Sequence, residues 1–274
     1  MTRAVPLFPL HTVLCPGIAL PLHIFEERYR AMIGRCLERS EPFGVVLIRD
    51  GREVGPLAGH VAEVGTLAAI RQVSRYADGR MDIVTVGTTR FRVTGLETGR
   101  DPWLTGIVDD LPEPLGGDPA VAAELAERTG RRFLAYLERI QGSASRVDLG
   151  RAADAEVPDE PEVEGEDPDE ALDPAGTEGG EPGDDGVRGD ALRRAILLAS
   201  ARRLIAEGDP TAVSWLLTGL VALDLPARQA LLEVPDTTAR LQRLERHLDR
   251  EMTLLGRGLR PLAVETDHLA LRRN

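Results

Sequence analysis

The chain has 274 residues, 42% of them hydrophobic and only 4% aromatic, so a core of Val, Leu, Ile and Ala can fill one large or two modest domains. All 33 basic residues are arginine, and the absence of lysine excludes a G-x-x-x-x-G-K-[ST] phosphate loop, a Ser–Lys dyad and a Schiff-base lysine. The net charge of −12 is concentrated in one stretch: residues 151–190 hold 16 acids against Arg151 and Arg188, a net of −14, which leaves the remainder near +2 and without the basic footprint of a nucleic-acid binder.

Two cysteines, Cys15 and Cys36, are too few for a disulfide scaffold. No apolar run reaches the ~18 residues of a membrane span, so no membrane contact is expected. Pro6, Pro9, Pro16 and Pro21 interrupt the apolar N-terminus, which reads as folded chain and not as a signal peptide. The expected location is the cytoplasm.

Residues 1–115 read as mostly β. Apolar stretches at Val5–Leu10, Gly44–Ile48, Gly65–Ile70, Met81–Val86, Phe91–Thr94 and Trp103–Val108 alternate with turn chemistry. Asp78-Gly79 predicts a hairpin between Val73–Tyr76 and Met81–Val86, and Gly87-Thr88-Thr89 predicts a second turn. One helix interrupts the strands: Phe25, Tyr29, Met32, Ile33, Cys36 and Leu37 recur at helical spacing, with Pro42 and Gly44 ending the segment. A further helix is predicted over 119–141 from Val121, Leu125, Phe133, Leu134, Leu137 and Ile140.

From 143 to 189 the chain is acidic, rich in Pro and Gly and free of aromatics. Such a stretch buries too little apolar surface to offset its ordering entropy and is expected to be a disordered insertion. Helical patterns resume at Asp190–Glu207, after the Asp209-Pro210 cap, from Pro226 to Leu232, and after Asp236 with Leu241, Leu244, Leu248, Met252 and Leu255 on one stripe.

Several motifs stand in order. Val5-Pro6-Leu7-Phe8-Pro9-Leu10, Val13-Leu14-Cys15-Pro16-Gly17 and Leu20-Pro21-Leu22-His23-Ile24-Phe25-Glu26-Glu27-Arg28-Tyr29-Arg30-Ala31-Met32 are followed by Phe43-Gly44-Val45-Val46 and Val64-Gly65-Thr66-Leu67-Ala68. Asp78-Gly79-Arg80 and Gly87-Thr88-Thr89-Arg90-Phe91-Arg92-Val93 come next. This set resembles the N-terminal substrate-binding domain of Lon-type proteases, closely over 1–115 and more loosely over Leu216–Leu255. Cys15 departs from the family's usual Phe, and the acidic stretch is not general to it.

The resemblance implies an α+β fold: a PUA-like β-barrel over 1–115 with one inserted helix, followed by a helical bundle. The bundle's first helix is expected at 116–142, the disordered acidic insertion at 143–189, the remaining helices at 190–258 and a C-terminal tail at 259–274. With no lysine in the chain, the expected form is the binding module alone, without ATPase or peptidase modules.

Other chemistry is set aside. His11, Cys15, His23 and Cys36 lack metal-ligand spacing, and no G-x-S-x-G or G-x-G-x-x-G occurs. No catalytic residue, cofactor or metal is expected. The expected function is non-enzymatic binding of unfolded or apolar protein segments, in company with an ATP-dependent protease or chaperone. The candidate peptide-binding residues are Phe8, Leu10, Phe25, Arg28, Tyr29 and Met32. The alternatives are an RNA-binding PUA-like module, which the near-neutral folded part disfavours, and a peptidase or an adaptor associated with one.

Overall fold

The computed structural model describes residues 2–49, 61–153, 205, 208–257 and 272–273. Met1–Tyr136 and Leu204–Asn274 make one compact unit, and Leu137–Arg203 a second. The chain is α+β. Its strands are β1 (Thr2–Leu10), β2 (Ala19–Ile24), β3 (Phe43–Leu47), β4 (Val64–Arg75), β5 (Met81–Glu97), β6 (Leu104–Asp110) and β7 (Arg272–Arg273). Its helices are α1 (Glu27–Arg39), α2 (Pro119–Ala153), α3 (Pro210–Leu220), α4 (Leu225–Leu232) and α5 (Thr237–Gly256).

The strands form one seven-stranded mixed sheet in the order β4-β3-β1-β6-β5-β2-β7, with a further β4–β5 pairing. That pairing is possible because β5 is long: Met81–Val86 pair with β2, residues from Met81 to Arg92 with β4, and Phe91–Glu97 with β6. Register shifts at Thr66/Ala68 and Ile70/Gln72 bend the β4–β5 ladder. The expected barrel is therefore a sheet curled back on itself through β4–β5, with β2 and β7 as an extension, and not a simple closed cylinder.

The N-terminal motif explains the core. On α1, Tyr29, Met32, Ile33 and Cys36 lie at helical spacing and are buried against Phe8, Leu10, Leu22, Ile24 and Phe43. Each such side chain removed from water contributes about 1.5–3 kcal/mol. A second cluster joins Val13, Cys15, Leu47, Ala62 and Val64 to Trp215 of α3 and Leu232 of α4. This cluster holds the helices on the sheet.

An ionic group sits at the same junction. Arg90 of β5 and Arg240 of α5 are 1% and 0% exposed. Arg90 donates to Glu113, to the carbonyls of Leu232 at 2.6 Å and Val234 at 2.8 Å, and to that of Pro112 at 3.2 Å. Arg240 donates to the Ser214 hydroxyl at 3.0 Å and to Glu113 at 3.2 Å. Glu113 therefore bridges two buried guanidinium groups, which fits the rule that a buried charge needs a partner. Burial pushes the Arg240 guanidinium down to about 10, and Glu113 opposes the shift.

The three bundle helices start where the sequence marks them. Asp209, Asp224 and Asp236 accept hydrogen bonds from the backbone N–H of Thr211 at 3.0 Å, Ala227 at 2.8 Å and Ala239 at 2.8 Å. Pro210 and Pro226 lie in the first turn of their helices. The helix predicted over Asp190–Glu207 falls outside the described residues except for Ile205, which is helical.

The structure corrects two sequence expectations and adds two elements. Ala19–Ile24, read only as part of a motif, is a strand. Gly87-Thr88-Thr89 is not a turn, because β5 runs through it. Gly87 is there for a close approach: its N–H donates to the Ile18 carbonyl at 3.0 Å, and a Cβ would lie 2.2 Å from the Cys15 carbonyl oxygen. Helix α2 continues through Ala153, into the start of the stretch expected to be disordered; residues 154–189 of that stretch lie outside the described residues. Finally, Arg272–Arg273 of the weakly patterned tail pair as a strand. The Asp78-Gly79 hairpin is present, with Gly79 at φ 85° and the Tyr76 N–H donating to the Arg80 carbonyl at 2.9 Å.

Candidate protein-binding surface

Strand β2 points Leu20, Leu22 and Ile24 into the core and leaves Pro21 and His23 half-exposed. This period of two is what a strand with one buried face requires. Phe25 follows directly and is 43% exposed, and Tyr76 at the end of β4 is 46% exposed. His23 lies between them, its ring centroid 6.2 Å from that of Phe25 and 6.1 Å from that of Tyr76.

Asp82 fixes this aromatic group. It stands opposite His23 in the β2–β5 register and accepts from His23 Nδ1 across 2.6 Å. Its other oxygen accepts from the Tyr76 hydroxyl. The Tyr76 hydroxyl, and then His23, hold the Asp82 carboxyl below the usual carboxylate range. Asp82 in turn raises the phenol of Tyr76. Arg80 lies 5.6 Å from the Tyr76 ring centroid, and Arg30 donates to the Asp78 carbonyl at 3.3 Å. The result is a half-open aromatic face with a polar rim. The His23–Asp82 hydrogen bond fixes the orientation of the His23 ring.

The six candidate residues divide. Phe8, Leu10, Tyr29 and Met32 are 1%, 2%, 3% and 0% exposed and belong to the core under α1. The Phe8 and Tyr29 ring centroids are 4.1 Å apart. These four cannot border a peptide groove, because both the strand face and the helix face that carry them are used up against each other. Arg28 lies over the Tyr29 ring at 4.4 Å and donates to Glu26 at 2.9 Å. Of the six, Phe25 alone presents a large open apolar surface. His23, Tyr76 and Asp82 were missed. A lone His and a hairpin Tyr carry no spacing signal, and their proximity comes from strand register.

A cavity of about 40 Å³ is lined by Thr12–Cys15, Ile18–Leu20, Gly219 and Arg228. It is far below the roughly 300–1,000 Å³ of small-molecule sites. Burial pushes the Cys15 thiol there up to about 12, so it stays protonated and unreactive. Among the described residues no three His, Cys, Asp or Glu side chains gather as a metal site would need.

Comparison with known proteins agrees with this architecture. The model of the ATP-dependent protease La (LON) substrate-binding domain matches residues 4–250. The chain belongs to the LON substrate-binding domain family. It is 32% identical over 139 residues to the Lon protease of Paraburkholderia phytofirmans, a stretch covering 47% of this chain and 17% of that protein. It is 31% identical over 149 residues to Lon protease 2 of Myxococcus xanthus, covering 53% of this chain and 18% of the relative. The chain thus spans less than a fifth of the length of these relatives. The N-terminal domain of Mycobacterium avium complex Lon protease shares the fold, with a TM-score of 0.56, 20% identity, and coverage of 90% of this chain and 98% of that one.

Proposed function

We propose that the chain is a non-enzymatic recognition module that holds unfolded or apolar segments of other proteins, in the service of an ATP-dependent protease or chaperone. The observation that carries this reading is the aromatic face. Among the described residues three large hydrophobic side chains are exposed, Phe25, Tyr76 and Val121, and the first two flank one histidine. Scattered exposed apolar residues need no explanation, whereas a cluster marks a contact surface. Membership of a family described as substrate-binding supports the same reading.

The test is fluorescence anisotropy with one labelled protein in an unfolded and a folded form. The chain is expected to prefer the unfolded form with micromolar affinity, because ordering a disordered client costs free energy. The preference should survive high salt, unlike phosphate recognition. Phe25→Ser with Tyr76→Ser should weaken it at least severalfold. Equal binding to both forms rejects the reading.

A further inference from the structure

We propose that the outer edge of β2 is a strand-addition site for extended apolar client segments, and that the segment carrying Arg272 and Arg273 occupies it in cis as a competitor. This rests on the binding reading above and specifies how the client is held.

Strand β2 pairs with β5 along its whole length, from Ala19↔Val86 to Ile24↔Met81. Among the described residues its other side meets only β7, a parallel pair at Leu22↔Arg272 and His23↔Arg273. The sheet therefore ends in a strand of six residues covered by two. An edge of this kind presents unused backbone donors and acceptors and acts as a template for another chain. Proteins that read extended peptides use such edges: main-chain hydrogen bonds supply affinity, and surfaces for alternate side chains supply selectivity.

The edge already carries such a surface. His23 is a β2 residue, Phe25 follows the strand, and the rings of Phe25 and Tyr76 lie 6.2 Å and 6.1 Å from that of His23. Asp82 pins His23 and Tyr76 by hydrogen bonds, so little side-chain entropy remains to be lost when a client packs on them. An extended client in register with Leu22 and His23 would lay alternate apolar side chains over these rings.

The occupant of the edge is a segment of this chain, and its described backbone ladder is two residues long. At both positions the sequence offers arginine and no apolar residue. A tethered segment nevertheless competes at an effective concentration near the millimolar range. It therefore sets a threshold: clients that offer more ladder and more apolar contact displace it, and short or polar segments do not.

The experiment uses the full chain with Arg272→Pro and Arg273→Pro, since proline cannot donate to a ladder. Anisotropy with the labelled unfolded client and amide exchange over residues 19–24 are measured on parent and variant. The variant is expected to bind roughly tenfold tighter, by loss of the cis competitor. Its β2 amides should exchange faster when free and regain protection with client. A synthetic peptide of residues 262–274 should reverse the gain, and deletion of 272–274 should reproduce it. Unchanged affinity and unchanged exchange overturn the inference while parent-chain binding leaves the binding reading standing. A parent chain and a variant that both fail to bind client remove both. A variant that dimerises through β2 without gaining client affinity also overturns it, and assigns the edge to a second copy.

Discussion

The Arg240 guanidinium lies over the Trp215 ring, 3.3 Å from its centroid, and both side chains are buried. Arg90 approaches the same ring at 5.1 Å from the sheet side. One indole thus shares two cations that reach it from α5 and β5. A desolvated cation–π contact is worth about 2 kcal/mol or more. A double-mutant cycle with Trp215→Leu and Arg240→Met, read by urea denaturation, should return a coupling of about 1–2 kcal/mol. A coupling near zero would mean that the stacking is geometric only.

Glu113 compensates both guanidinium groups, so its removal is expected to cost more than the loss of a surface pair. Glu113→Ala should destabilise by about 3–5 kcal/mol, as for other buried pairs that lose one partner, moderated by the 26% exposure of its side chain. Arg128→Ala is the contrast. Its pair with Glu245 at 2.7 Å has a cation 45% exposed, and its loss should cost at most about 1 kcal/mol.

Gly87 tests the close approach of β5 to the Pro16–Ile18 segment. Gly87→Ala places a methyl group against the Cys15 backbone and should destabilise by at least about 1–3 kcal/mol. Gly34 in α1 has nothing within 4 Å of an added Cβ, so Gly34→Ala should instead stabilise by roughly 0.5–1 kcal/mol. Thermal unfolding of the two variants should move in opposite directions.

Tyr29 separates core from surface. Tyr29→Ala should cost about 3–5 kcal/mol, because the ring is buried against Phe8. Tyr29→Phe should cost about 1 kcal/mol at most. Neither variant is expected to change client affinity once folded protein is selected, whereas Phe25→Ser should weaken binding and leave the melting temperature nearly unchanged. The reverse pattern would move the surface back under α1.

Glu251 gives a pH dependence. It is 8% exposed on α5, and its Oε2 has no hydrogen-bond partner among the described residues. Burial raises its carboxyl above the usual 4.5, with Arg250 opposing. The folded state therefore holds this proton more tightly than the unfolded chain. Its favourable contribution is full below the unfolded value and is lost as pH rises through the folded one. Glu251→Gln should be more stable than the parent at neutral pH and should flatten the decline of stability above pH 4.5. A decline of the same slope in both proteins would assign it to another group.

Local chemistry was legible without coordinates. Asp209 and Asp236 marked two helix starts and Pro226 a third, because a cap needs only a short acceptor next to free N–H groups; the Asp224 cap of that third helix emerged with the structure. Asp78-Gly79 marked the hairpin because one residue there must take positive φ. The period of Tyr29, Met32, Ile33 and Cys36 gave α1 and its buried face, and the ordered N-terminal motifs gave the family.

What the sequence could not carry was which of two apolar surfaces faces the other. Phe8, Leu10, Tyr29 and Met32 look as fit for a groove as for a core, since both need apolar side chains at the same spacing. Only the packing of α1 on β1 decided it. Strand β2 hid because Pro21 interrupts its apolar pattern, although proline is tolerated in a strand near a sheet edge. The His23–Asp82 pair joins residues 59 apart, and Arg90 meets the carbonyl of Leu232 across 142 positions. Contacts of that span come from strand register and helix docking. Those are properties of the whole chain closing on itself, and no local window of residues contains them.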